Sequence, residues 1–172
     1  MKTLGLALTV VACAASGASG TETSLANPRI DMKGYLDVAR AAARYRDSHR
    51  VTEAEFVRMA AEPDTIVLDA RSPEKYRQLH IAGAVNLTFA DISEESLARL
   101  LPDRDARILI YCNNNFAGDE SAFPRKLASA SLNLSTYVAL YDYGYRNVYE
   151  LAPLLDVKTA KVRLVSGEQT AR

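Results

Sequence analysis

Residues 107–112 read RILIYC, an apolar run that ends on a cysteine and gives way at once to the polar stretch NNNFAGDESAFPRK. Short apolar, β-branched runs bounded by polar turn formers predict a buried strand of a parallel sheet. A thiol at the carboxyl end of such a strand stands where open α/β sheets place their ligands and their chemistry. The thiolate is the nucleophilic form of cysteine, and backbone N–H groups curling from strand into helix favour it and can hold a sulfur anion. Such a site needs no general base, and none stands near Cys112 in the sequence. The competing reading of Cys112 is a small buried hydrophobe at a strand end.

Other chemistry finds less support. The histidines are His49 and His80, and together with so few cysteines they offer no metal-ligand spacing. Gly83 stands alone, so no phosphate-cradling loop is present. His80 reads as a structural histidine bonded to backbone, and the tyrosines between 137 and 149 read as packing rather than a platform for stacked bases. Arg40, Arg44, Arg46, His49 and Arg50 give residues 35–50 a basic side, best read as a solvated face. Formal net charge is zero, with 21 basic and 21 acidic residues, so nothing draws the chain as a whole to nucleic acid or an anionic membrane. No cofactor is implied.

The length of 172 residues and 48% hydrophobic content fit one globular domain with a real core. Residues 1–20 read as a signal peptide: Lys2, a short apolar stretch from Leu4 to Ala12, then small residues only. Cleavage after Gly20 would release a soluble exported protein, periplasmic or secreted. Val10-Val11-Ala12-Cys13 also resembles a bacterial lipobox, and lipidation of Cys13 is the one route to a membrane. Without residues 1–20 the chain keeps a single cysteine. An unpaired thiol in an exported protein suggests a reactive group or intermolecular pairing.

The elements that position Cys112 follow in order. Residues 21–49 form an arm and a helix, with Leu36, Ala39, Ala43 and Tyr45 on one face. Thr52-Glu53-Ala54-Glu55 fits a capping box. Thr65–Leu68 predicts a strand ending in Asp69-Ala70-Arg71, and Ser72-Pro73-Glu74 opens a short helix. Residues 80–87, HIAGAVNL, read as a turn into a strand, and 93–101 as a helix. Leu134, Tyr137, Val138 and Tyr141 recur at helical spacing, with Gly144 placed to close that helix; 147–151 is the last strand, and 157–172 reads as a C-terminal tail. Strands alternating with helices imply a parallel sheet covered on both faces.

Four segments, IVLDARSPEKY at 66–76, HIAGAVNL at 80–87, ILIYC at 108–112 and GYRNVYEL at 144–151, resemble the rhodanese family in the family's order. The resemblance covers 50–156. It implies an α/β, three-layer domain with a five-stranded parallel sheet, helices on both faces, and an active-site loop starting at the cysteine that ends the fourth strand. Family members carry sulfane sulfur as a persulfide on that cysteine, from donors such as thiosulfate to thiol or cyanide acceptors. Cys112 matches the nucleophile position. Asp69 and Arg71 match the family's Asp-x-Arg, which supports the shape of the site.

One departure stands out. Family loops run directly into a helix and often contain a cation, whereas a long insert here precedes the helix at Leu134. Asn113, Asn114, Asn115, Phe116 and Ala117 contain no positive charge, and Asp119 with Glu120 follows. Negative charge beside a thiol raises its pKa and repels anionic donors; Arg125 and Lys126 are the cations within reach along the chain to offset it. The loop residues expected at the site are therefore Asn113, Asn114, Asn115, Phe116, Arg125 and Lys126. A Cys-x5-Arg phosphatase or arsenate reductase is disfavoured, because Gly118 stands where the oxyanion-gripping arginine is needed. Two readings follow: a sulfurtransferase or persulfide carrier using a small sulfur donor and a thiol acceptor, or a rhodanese-like binding module for a protein partner or small ligand.

Overall fold

The computed structural model describes residues 27–167. The chain divides into two compact units, Met1–Asp31 and Met32–Arg172. In the described part of the first, Asn27 organises a turn, its side chain accepting from the Arg29 N–H at 3.0 Å. The leader expected over residues 1–20, with its lipobox alternative at Cys13, lies outside the described residues.

The second unit begins with α1 (Met32–Arg46), followed by β1 (Arg50–Val51), α2 (Glu53–Ala60), β2 (Thr65–Asp69), α3 (Pro73–Gln78), β3 (His80–Ile81) and β4 (Val85–Asn86). Then come α4 (Glu94–Leu100), β5 (Arg107–Tyr111), β6 (Phe116–Ala117), α5 (Leu132–Asp142), β7 (Val148–Leu151), β8 (Leu155–Asp156) and β9 (Leu164–Val165). Five strands form one sheet in the order β1-β7-β5-β2-β4, and every pairing in it is parallel. This is the α/β architecture the sequence predicts, with β5 the fourth of those five strands along the chain.

Alternation along the strands divides the core in two. Val67, Leu109, Tyr111 and Leu151 face α2 and α3, joining Phe56, Met59 and Tyr76. Leu68, Ile108, Ile110 and Val148 face the opposite way, joining Ala42 of α1, Leu97 of α4 and Tyr137 and Leu140 of α5. The helix starts follow their caps. Thr52 and Glu55 close the expected capping box on α2, and Ser72 caps α3 with Pro73 at its first position. Gly144, at φ +93°, ends α5 in the left-handed region that glycine enters at least cost.

Two expectations meet a different arrangement. The buried stripe of α5 is Asn133, Thr136, Tyr137 and Leu140, not the Leu134, Tyr137, Val138 and Tyr141 stripe read from apolar spacing. The helix turns a partly polar face inward because Asn133 must reach the loop after β5, while Tyr141 packs toward Tyr45 of α1 with ring centroids 5.8 Å apart. Residues 157–167, expected as tail, fold back onto the domain. Val162 is buried in the core, and β9 pairs antiparallel with β3.

Candidate active site

β5 delivers Cys112 to the carboxyl edge of the sheet, next to β2 and β7. Its backbone is extended (φ −147°), and Asn113–Asn115 form a single 3₁₀ turn directly behind it. Cysteine here occupies the capping position of that turn. The Asn115 backbone N–H closes the turn onto Cys112 O at 3.1 Å and faces Sγ, and Asn115 Oδ1 accepts from the Cys112 backbone N–H at 2.9 Å. The Ser131 hydroxyl stands 3.3 Å from Sγ. Cys112 is 1% exposed.

The orientation of the surrounding amides is fixed by groups that can only accept. Asn115 Nδ2 donates to the carbonyls of Leu151 at 2.7 Å and Pro153 at 3.3 Å. Its Oδ1 must therefore face Cys112, where it also takes a hydrogen bond from Asn133 Nδ2 at 3.0 Å. Asn133 Oδ1 and Asn113 Oδ1 remain buried without a hydrogen-bond partner.

The insert lies over this turn as a strap. Asn113 Nδ2 donates to Pro124 O at 3.0 Å. Asn114 pairs with Lys126 in both directions, donating from Nδ2 at 3.1 Å and accepting the Lys126 N–H at 3.0 Å, as a neighbouring strand would. Ala122 and Phe123 are buried beneath it, with Phe123 against Phe116 at a centroid distance of 4.5 Å. Asp119 caps the strap's own turn, accepting from the N–H groups of Ser121 and Ala122. Glu120 accepts from the Arg125 N–H at 3.4 Å. Arg125 and Lys126 are exposed and join the site through their backbone groups.

Asp69 and Arg71 brace the strap from below. Arg71 grips Asp69 through Nε and Nη2, the latter at 2.6 Å, and donates to the carbonyls of Ala122 at 3.0 Å and Leu79 at 2.8 Å. Its guanidinium lies 4.4 Å from the Phe123 ring centroid. Burial works against the Arg71 charge, but the Asp69 bonds outweigh it and leave the pKa raised. Tyr111 donates to Asp69 at 2.5 Å, and burial pushes its hydroxyl well above the usual tyrosine range. Beside the Pro153 carbonyl that receives Asn115, an open groove of about 500 Å³ runs between Thr52–Ala54 and Ala152–Pro153, with Lys161 on its rim. Among the described residues, no three His, Cys, Asp or Glu side chains gather as a metal would require.

The structure thus brings Cys112, Asn113, Asn114, Asn115 and Phe116 together with Asp69 and Arg71. Ser131 and Asn133 complete the setting without having been singled out in the sequence. The available signal was a serine two residues before an asparagine at the start of a helix, which reads as ordinary helix capping.

A five-stranded parallel sheet carrying a cysteine at the end of its fourth strand, braced by an Asp-x-Arg pair, defines a rhodanese-type α/β domain. The Rhodanese-like domain profile matches residues 52–151, and the chain belongs to that family. It is 29% identical over 96 residues to the thiosulfate sulfurtransferase PspE of Escherichia coli K12, a match covering 56% of this chain and 77% of that protein. It is 37% identical over 82 residues to the HTH-type transcriptional regulator Rv0324 of Mycobacterium tuberculosis, covering 46% of this chain and 35% of the regulator. A crystal structure of thiosulfate sulfurtransferase from Pseudomonas aeruginosa shares the fold at a TM-score of 0.51 and 19% identity, covering 76% of this chain and 23% of that one. The profile match shows the family, PspE is a sulfurtransferase relative within it, and the Pseudomonas aeruginosa structure shows the fold alone.

Proposed function

We propose that this protein is a sulfurtransferase or persulfide carrier of rhodanese type, working through Cys112. The observation that carries the reading is a sulfur at the end of β5 that faces a backbone N–H of its own turn and a hydroxyl at 3.3 Å. In the first half-reaction the Cys112 thiolate attacks the outer sulfur of thiosulfate. The donor's sulfur–sulfur bond breaks, sulfite leaves with the electron pair, and Cys112 holds a persulfide. In the second, an acceptor thiolate attacks that outer sulfur, the persulfide bond breaks, and the Cys112 thiolate returns. The partners are a small sulfur donor and a thiol acceptor, free or on a protein. The composition of residues 1–20 supports an exported setting, periplasmic or secreted, with membrane attachment only where Cys13 is lipidated.

Incubation with thiosulfate followed by intact mass measurement tests this. The expected result is a gain of one sulfur atom, lost on treatment with a thiol and absent from Cys112→Ser. Equal behaviour of wild type and variant overturns it. A second reading, a rhodanese-fold binding module with a structural cysteine, draws on the 1% exposure of Cys112 and on the strap that Asn113 and Asn114 hold in place. Slow alkylation of Cys112 at neutral pH together with no sulfur gain favours the module; rapid alkylation favours the carrier.

A further inference from the structure

Ser131 precedes α5, where a serine ordinarily turns its hydroxyl back to accept a helix N–H. Here it makes no such bond. Its Oγ instead stands 3.3 Å from Cys112 Sγ, across a sequence separation of 19 residues. The hydroxyl rotates freely, so it accepts from a neutral thiol and donates to an anionic sulfur with no movement of heavy atoms. The turn that follows Cys112 faces the sulfur with one backbone N–H, that of Asn115, which it shares with Cys112 O at 3.1 Å, and it contains no cation. The strap's own cations, Arg125 and Lys126, are exposed and turned to the site only through backbone. The sulfur therefore has one side-chain hydrogen-bond donor of its own among the described residues, and it is this hydroxyl.

We propose that Ser131 is the donor that holds the anionic sulfur of Cys112, thiolate or persulfide, in place of a cation in the loop. Asn133 acts behind it as a positioning residue. Its Nδ2 bond to Asn115 Oδ1 helps hold the turn that follows Cys112, since that oxygen also accepts the Cys112 backbone N–H. The insert is then part of the site, because it returns the chain to the sulfur at Ser131. This deepens the reading of Cys112 as a sulfur carrier and rests on it for the persulfide.

The test follows thiolate ultraviolet absorbance against pH in wild type, Ser131→Ala and Ser131→Thr. Each is differenced against the same protein carrying Cys112→Ser, which removes the signal of Cys13. Sulfur gain from thiosulfate at neutral pH is measured in parallel. Because the serine makes no capping bond, Ser131→Ala should melt with wild type; Ser131→Thr retains the hydroxyl. We expect Ser131→Ala to move the thiol midpoint up by about one pH unit and to slow sulfur gain about tenfold, as loss of one hydrogen bond to a charged group implies, with Ser131→Thr restoring both. Coincident midpoints in wild type and Ser131→Ala overturn the proposal, as does a shifted midpoint that Ser131→Thr fails to restore. If the midpoint moves and threonine restores it while wild type gains no sulfur, the carrier reading fails and the Ser131 bond to the thiolate stands.

Discussion

Arg71 links more of the site than any other side chain. It closes a buried ion pair with Asp69, holds the carbonyls of Leu79 and Ala122, and lies against Phe123. Those contacts depend on the planar fork of the guanidinium, which lysine lacks. Arg71→Lys should therefore cost about 3 kcal/mol, since it leaves part of a buried charge network unpaired; a lowered urea midpoint at unchanged slope reports it. His80 makes a pH-dependent contribution. It is fully buried, its Nδ1 is bonded to Tyr76 O at 2.7 Å, and its Nε2 has no hydrogen-bond partner. Burial lowers its pKa, so the unfolded chain binds the proton more readily. The neutral ring costs nothing above about pH 6.5. Below that, stability should fall by up to about 1.4 kcal/mol per pH unit until the folded-state pKa is passed. Urea midpoints of wild type and His80→Gln between pH 7 and pH 5 check this, and the variant should lose less. Cys112 was legible because a thiol at a strand end carries its meaning locally, whereas Asp69 and Arg71 were singled out only through their resemblance to the family's Asp-x-Arg. Ser131 and Asn133 were not, since their partners lie across the insert and the sequence gives no measure of that distance.

Strands were the most readable elements: Thr65–Asp69 and Arg107–Tyr111 are apolar, short and bounded by polar residues, and nothing competes with that pattern. Helix α5 was placed but misoriented. Hydrophobic spacing counts Asn133 and Thr136 as solvent-facing, whereas burial of the first is required by the Asn115 bond. The strap was unreadable for a related reason. Its two buried residues, Ala122 and Phe123, sit amid polar ones, and its regular pairing comes from asparagine side chains rather than from backbone. Phe123 is nonetheless its anchor, 1% exposed between Phe116 and Arg71. Phe123→Ala should destabilise the domain by about 3–4 kcal/mol. If the strap is what shields the thiol, alkylation of Cys112 should speed up in conditions where the variant remains folded. Loss of stability with an unchanged alkylation rate would assign the shielding to the turn itself.

Beyond the segment that matches the family, the chain adds a layer at each end. In α1, Ala42 enters the core and Arg46 forms a largely buried ion pair with Glu150 of β7, bonding at 2.7 Å through Nη2. At the other end, β8 pairs with β6, the two residues that leave the Cys112 turn, so the chain after β7 frames the site loop directly. Glu53, in the first turn of α2, accepts from the backbone N–H groups of Lys161 and Val162, and the Ala82 N–H donates to Arg163 O at 2.8 Å. A segment rich in charged residues reads as tail in sequence because its attachment runs through backbone groups, which every residue has. Val162 is the apolar part of that attachment, 4% exposed in the cluster that also holds Tyr111, Phe116 and Phe123. Val162→Ala should then cost about 2 kcal/mol, and deletion of 157–172 should cost more, because it also uncovers Ile81 and removes the strand paired with β3. Thermal melts of the three proteins decide between attachment and tail. Graded losses, smallest for Val162→Ala, follow from attachment, whereas coincident melts would mean that the domain is already complete at Asp156.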